Sequence, residues 1–237
     1  MFVLAKELAS SEKSVITTTT TRILDLERQA YESPLLLEAD EGKMIAPLLK
    51  HLEKHRQVTL ARERSMDWGK LKGVSPELVD TLAELGPVSY IIVEADGAAR
   101  KPLKAPKATE PVIPESTTLV IPIVGFEALG SRLTDEDVFR PEVISRLTGL
   151  PWGAVISAEA IATLITHPEG IARGSPANAR ILPLINKMDL AQGLSEAEDL
   201  ALKILERKHP QIDRVILGQV QFPHPVVGTV LDAKIAA

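Results

Sequence analysis

The chain has 237 residues, 45% of them hydrophobic, which suits one sizeable α/β domain over residues 1–237 with a core of its own. A net charge of −5 and only 3% aromatic residues remove the basic face and the stacking rings that nucleic-acid binding uses, so the expected partner is a small molecule or a protein and no nucleic acid. No cysteine is present, which excludes disulfides, thiolate metal sites and thiol nucleophiles and leaves oxygen or imidazole as the only metal ligands.

Phe2, Val3, Leu4 and Leu8 recur at helical spacing, and Lys6 and Glu7 interrupt the apolar stretch, so the start reads as a helix and not as a secretory leader. A β-branched strand, Val15 to Thr21, follows. Residues 42–55 and 75–85 read as helices, the second with Ser75 as N-cap and Pro76 at the first helical position; Gln57 to Ala61 between them is a short strand. VSYIIVE, residues 88–94, is a continuous apolar run suited to a strand buried on both faces. A proline-rich loop carries Arg100, Lys101, Lys104 and Lys107. TTLVIPIV, 117–124, is a strand in which Pro122 predicts an edge or an irregularity. Thr134 with Asp137 resembles a capping box that opens a helix running on into FRPEVISRL.

Ser157 caps a helix ending at His167 and Pro168. ARILPLI, 179–185, is a strand, and Ser195 with Glu198 is a capping box for a helix through about Lys208. RVILGQV and VVGTVL close the chain. Strands alternating with helices predict a three-layer α/β fold, a mostly parallel sheet with helices on both faces. No run approaches the roughly 20 apolar residues of a membrane span, so a soluble cytoplasmic protein with no membrane contact is expected.

LPLINKMDLA, 182–191, carries Asn186, Lys187 and Asp189 at the carboxyl end of a strand, where ligands bind in open α/β sheets. In a guanine-reading loop the aspartate accepts hydrogen bonds from the ring N1–H and the exocyclic amine, the lysine stem lies along the purine, and the asparagine ties neighbouring loops together. A carboxylate there rejects adenine by leaving polar groups unpaired. The plain alternative is a polar turn between strand and helix. VEADGA, 93–98, suits an acidic strand end that orients Mg2+: Asp96 and Glu94 are the candidate catalytic and metal-directing carboxylates, with Gly97 as an amide near a terminal phosphate; Asp-Gly is equally a common turn pair. Thr17, Thr18, Thr19 and Thr20 place hydroxyls at a strand end, with Thr18 a candidate magnesium ligand, although threonine is also a good strand former. Arg100, Lys101 and Lys104 are candidate phosphate contacts, or a solvated charge run. His167 reads as a helix end and not as a metal ligand.

A phosphate loop of the form G-x-x-x-x-G-K-[ST] is what these motifs lack. The nearest stretch, GFEALGSR from Gly125, has Ser131 at the lysine position and an acidic Glu127, and reads as an ordinary strand-to-helix loop. Because the chain opens on a helix followed by a strand, that first helix corresponds to the one that normally follows the loop, and the loop is expected upstream of Met1.

ITTTTTRI, VEADGAARKPLKAPKATEPVIP, IVGFEALG, FRPEVI, LITHPEG and LINKMD, in this order along nearly the whole chain, resemble the YqeC family of selenium-dependent hydroxylase accessory proteins. The resemblance implies a phosphate-loop NTPase-like fold, GTP or ATP with Mg2+ as ligand, and a role in maturing selenium-dependent molybdenum hydroxylases together with the hydroxylase or cofactor-assembly proteins. Relatives of this kind carry a G-K-[ST] loop before the helix that here begins at Met1, so weak nucleotide binding or none is expected of this chain. Phe139 stands where histidine is expected, which removes proton transfer at that position. Three readings follow: a GTP-binding or GTP-hydrolysing switch when the loop is present, a non-hydrolysing binding module that keeps the fold and a partner surface, and a transferase acting on the selenium or molybdenum cofactor. Loss of the strand before the loop further predicts a gap in the sheet, a substituted strand, or self-association as a homodimer.

Overall fold

A computed structural model describes residues 1–25, 33–65, 69–191 and 194–232. They gather into two compact units, one made of Met1–Gly97 and Val112–Ser116, the other of Ala98–Pro111 and Thr117–Ala237. Each has its own apolar core: Ile16, Leu48, Leu60 and Leu82 belong to the first, Leu133, Ile144, Ile161 and Ile185 to the second. The length of the chain points to one core; the apolar residues are divided between two.

In the first unit the order is α1 (Phe2–Ser10), β1 (Val15–Thr19), β2 (Arg22–Leu24), β3 (Leu35–Leu37), α2 (Ile45–His55), β4 (Gln57–Ala61), β5 (Glu63–Arg64), β6 (Lys70–Lys72), α3 (Pro76–Ala83) and β7 (Tyr90–Glu94). A parallel sheet runs β3-β4-β1-β7, and β2, β6 and β5 form a small antiparallel sheet. β1 is buried throughout because it has a neighbour on each side. In α2 the apolar pair Leu48 and Leu52, one turn apart, packs into the core, and its amino end starts after a separate 3-10 turn, Glu41–Lys43. Ser75 caps α3 as expected, its Oγ accepting from the Leu78 N–H at 3.1 Å.

β7 departs from expectation. It is half-exposed, with Tyr90 44% accessible, and not buried on both faces. The physical reason is pairing: among the described residues it is hydrogen-bonded along one edge only, to β1.

The second unit runs β8 (Leu119–Val120), β9 (Ile123–Gly125), α4 (Pro141–Thr148), α5 (Ala158–Thr166), β10 (Arg180–Ile181), β11 (Leu184–Asn186), α6 (Ser195–Glu206), β12 (Arg214–Gly218) and β13 (Val226–Leu231). Its main sheet has the order β13-β12-β11-β9, parallel except for β13. Pro122 and Pro183 each split an expected strand in two, since neither can donate to the ladder; β8 and β10 then pair with each other. The tail strands lie beyond β11, on the side away from β9. The architecture is α/β, with parallel sheets and helices consistent with a three-layer fold. No described helix is long and apolar enough to cross a membrane.

Two expected caps do not form. Thr134 and Asp137 sit in a turn, their side chains 3.4 Å apart, and the helix begins only at Pro141. Ser195 is already inside α6, whose N-cap is Leu194. Ser157 does cap α5, accepting from the Ala160 N–H at 3.2 Å, and His167 ends that helix.

Gly170, in the THPEG turn after α5, is required sterically: a Cβ there would overlap the Leu164 carbonyl, which accepts the Ile171 N–H at 2.8 Å. Gly170→Ala is expected to cost about 1 to 3 kcal/mol, seen as a lowered denaturation midpoint with an unchanged slope. An unaltered midpoint would show that the turn shifts at no cost.

Candidate functional site

The Asn186–Asp189 motif lies at the carboxyl end of β11, within the second unit. The strand pairs in parallel with β9 and β12. Lys187 adopts a left-handed conformation, φ 66°, and turns the chain into a short 3-10 segment, Met188–Leu190. The Asn186 side-chain Oδ1 accepts a hydrogen bond from the Val220 N–H at 3.1 Å. That bond ties the β11 end to the segment after β12. A cavity of about 230 Å3 lies beside it, lined by Asn186, Lys187, Asp189, Leu190, Gln219, Val220 and Gln221. Asp189 is exposed.

Lys187 is ion-paired through Nζ with Glu127 Oε1. Glu127 follows β9, and its other oxygen, Oε2, is buried without a hydrogen-bond partner among the described residues. Glycine at 125 makes this possible, because a Cβ there would stand 2.5 Å from Oε2. Sequence reasoning saw Glu127 only as an acid unsuited to a phosphate loop. It missed the partnership, for which the sole signal was an acid close after the glycine of a neighbouring strand end.

The acidic strand end belongs to the first unit. Glu94 closes β7, with Asp96 and Gly97 following. Burial raises the Glu94 carboxyl above its ordinary range; the α-amino group opposes the shift and the Asp96 carboxylate adds to it. A Cβ at Gly97 would make only ordinary contact, 3.6 Å from Glu94 Oε1, so glycine is not sterically demanded there. A raised carboxyl costs stability once it ionises: the loss begins above its unfolded value and is complete above its folded one. Glu94→Gln is therefore expected to be more stable than the parent at neutral pH, with the difference closing as pH falls toward about 4.5. Denaturant titrations at pH 7 and pH 4 check this, and a less stable variant at pH 7 would contradict it.

The threonine hydroxyls have partners inside the first unit. Thr17 Oγ1 lies 2.8 Å from Thr59 Oγ1, Thr18 donates to the Leu60 carbonyl at 2.8 Å, Thr19 to the Glu94 carbonyl at 2.7 Å and Thr20 to the Val112 carbonyl at 2.6 Å. Thr17, Thr18 and Thr19 are buried and Thr20 is half-buried. Among the described residues no group of three or more His, Asp or Glu side chains is arranged to hold a metal ion.

The basic run, in the second unit, is divided by its contacts. Arg100 and Lys107 are exposed, and Lys101 donates to the Glu136 carbonyl. Lys104 is buried and ion-paired with Glu110 at 2.9 Å. Arg140 meets the same carboxylate at 2.6 Å. Phe139 lies beneath both cations, 5.5 Å from Lys104 Nζ and 4.7 Å from the Arg140 guanidinium carbon, a cation–π geometry. The candidate residues thus fall into two groups: Thr17 to Thr20, Glu94, Asp96 and Gly97 in one unit; Arg100, Lys101, Lys104, Asn186, Lys187 and Asp189 in the other.

The fold and these strand ends define an α/β protein with a polar cavity at the carboxyl end of a mainly parallel sheet. The chain belongs to the YqeC family: the family described as YqeC protein matches residues 1–142. It is also similar to the Escherichia coli (strain K12) protein described as "Uncharacterized protein YqeC", with 27% identity over 228 residues, covering 96% of this chain and 84% of that protein. No solved structure matches the chain.

Proposed function

We propose that this chain is a guanine-nucleotide-reading accessory protein for the maturation of selenium-dependent molybdenum hydroxylases, with a phosphate-loop NTPase-like fold. The observation that carries the nucleotide part is the Asn186 hydrogen bond to the Val220 N–H at 3.1 Å, which fixes the loop bearing Lys187 and Asp189 beside a cavity at the sheet's carboxyl end. The Asp189 carboxylate accepts the N1–H and exocyclic amine of guanine. Lys187, held by Glu127, lays its stem along the purine.

In the first unit, Asp96 and Glu94 are the carboxylates that would hold a magnesium ion, which keeps much of its water shell and needs only one or two such groups. Arg100 is the exposed cation for phosphate or for an acidic partner, with Lys101, held by the Glu136 carbonyl, next to it in the chain. The client role rests on the family resemblance.

Equilibrium binding of GTP, GDP, ATP and ADP with Mg2+ tests the nucleotide reading. Guanine nucleotides are expected to bind about 100-fold or more tightly than adenine nucleotides with equal phosphates, whatever the absolute affinity. Equal binding of the two bases, or none at millimolar nucleotide, would overturn it. Deleting the gene is expected to lower the activity and selenium content of the client hydroxylases; unchanged selenium loading would refute the maturation role.

A further inference from the structure

We propose that His51 and His55 form an open surface chelate for a divalent transition-metal ion, of the zinc, nickel or copper class, on α2. The two are four residues apart on one helix, so they rise one above the other on the same side. Their ring centroids are 6.3 Å apart, with the planes 29° from parallel. The rings are stacked, so their in-plane lone pairs do not meet at one point as they stand; metal–nitrogen bonds of about 2.1 Å to both require the exposed His55 ring to turn until one of its nitrogens faces the same ion as His51 Nε2. Two histidines at this spacing on a helix are a recurrent zinc-binding arrangement.

The tautomer of His51 supplies the independent observation. Its Nδ1 lies 2.8 Å from the Pro47 carbonyl oxygen. A carbonyl only accepts, so Nδ1 carries the proton and the neutral ring directs its lone pair out through Nε2. This is the outer-shell arrangement that orients metal-binding histidines. His167 and His209 are arranged the other way: their Nδ1 atoms accept from the backbone N–H groups of Glu169 and Gln211, at 3.0 and 3.3 Å. In those neutral rings the proton sits on Nε2 and no outward lone pair remains. The His55 ring makes no hydrogen bond among the described residues and can turn to share the ion.

The setting decides which ion is taken. His55 is the last residue of α2, where the helix dipole favours positive charge. Lys50 and Lys54 flank the pair, and among the described residues Glu53 is the one acid lining the same surface. Ammonium neighbours oppose any cation held by charge alone, which disfavours Mg2+ and Ca2+. Ions that gain most from nitrogen ligands overcome them, in the order Cu2+ above Ni2+ and Zn2+. With two protein ligands the ion keeps open positions for water or for donors of another molecule, so the site suits holding or passing on a metal more than locking a fold.

Calorimetric titration of the full chain with ZnCl2, NiCl2 and CuCl2 tests the site. One equivalent is expected beyond whatever the His51→Ala/His55→Ala double variant binds, each single substitution weakening it about tenfold or more. Ten-millimolar MgCl2 is expected not to compete. His167→Ala and His209→Ala are expected to leave the isotherm unchanged. Both chelating histidines lie on the outer side of α2, so the variants fold, as circular dichroism would verify. An identical isotherm from the double variant, or displacement of the ion by Mg2+, would overturn the proposal.

Discussion

Glu110→Gln is expected to destabilise the protein by about 3 to 5 kcal/mol at neutral pH, the cost of breaking a buried ion cluster from one side. One carboxylate serves two cations there: Lys104 at 2.9 Å and Arg140 at 2.6 Å, with side chains only 8% and 12% accessible. Burial by itself would raise the Glu110 carboxyl, but the hydrogen bonds and charges of Arg140 and Lys104 outweigh it and hold the group down at about 2. Glutamine keeps the shape and removes the charge, leaving both cations to bear their desolvation without the anion. The pH dependence has a definite sign. A carboxyl depressed on folding contributes stability that is present above its unfolded value, about 4.5, and is lost as pH falls toward about 2. Parent and variant are therefore expected to differ most at pH 7 and to converge near pH 2. Denaturant midpoints across that range measure it. A pH-independent difference would assign the effect to lost packing instead. Replacing the cluster as a whole, with Lys104→Met, Glu110→Leu and Arg140→Met together, is expected to be close to neutral, because no charge is then left behind.

That cluster also marks the limit of what sequence alone conveys. Lys104 reads as one of four cations in a proline-rich loop, and a solvated run or a phosphate contact is the natural inference; only the fold returns Glu110 and Arg140 to the same place. Phe139 looks like a departure from a motif, yet it supplies the ring beneath both cations. Short-range signals fared better. Ser75 and Ser157 cap helices because their effect is confined to one turn, and Gln57–Ala61 is found as a strand with the expected bounds. Thr134 and Ser195 carry the same letters and form no cap, since helix entry there is decided elsewhere: by Pro141 in one case, and by a helix that has already begun at Ser195 in the other.

β7 shows a different failure. A continuous apolar run encodes a wish for neighbours on both sides, but burial depends on which strands arrive, and pairing on one edge leaves Tyr90 44% accessible. The Asn186–Asp189 motif was legible as letters, and so was the place it takes at the end of β11. Its partners were not: Val220 and Glu127 lie far from it in sequence. His51 and His55 stand four residues apart and went unremarked in the sequence, because the direction of the proton on His51 depends on the Pro47 carbonyl, a contact that exists only in the folded helix.

On the guanine-reading role proposed for Asp189, Asp189→Asn is expected to move the preference from guanine to xanthine nucleotides, a change of about 100-fold or more in their ratio. A carboxylate offers acceptors alone and so matches the two donors of guanine, the N1–H and the exocyclic amine. Asparagine offers one acceptor and one donor. Its oxygen still takes the N1–H, but its amide hydrogens face the guanine amine, donor against donor, and both groups lose a partner. Xanthine has a carbonyl at that corner, which the amide satisfies. Asp189 is exposed and the change is nearly isosteric, so the variant keeps its fold. Comparing bases that carry the same phosphates cancels whatever the rest of the nucleotide contributes, and the ratio remains readable even when absolute affinity is low. Asn186→Ala should behave otherwise: it removes the 3.1 Å bond to Val220, loosens the loop by about 1 kcal/mol, and weakens guanine and xanthine nucleotides alike. Should Asp189→Asn lower both bases equally, the residue would be a loop support and not the reader of the base; a reversal confined to Asp189→Asn assigns base recognition to that carboxylate.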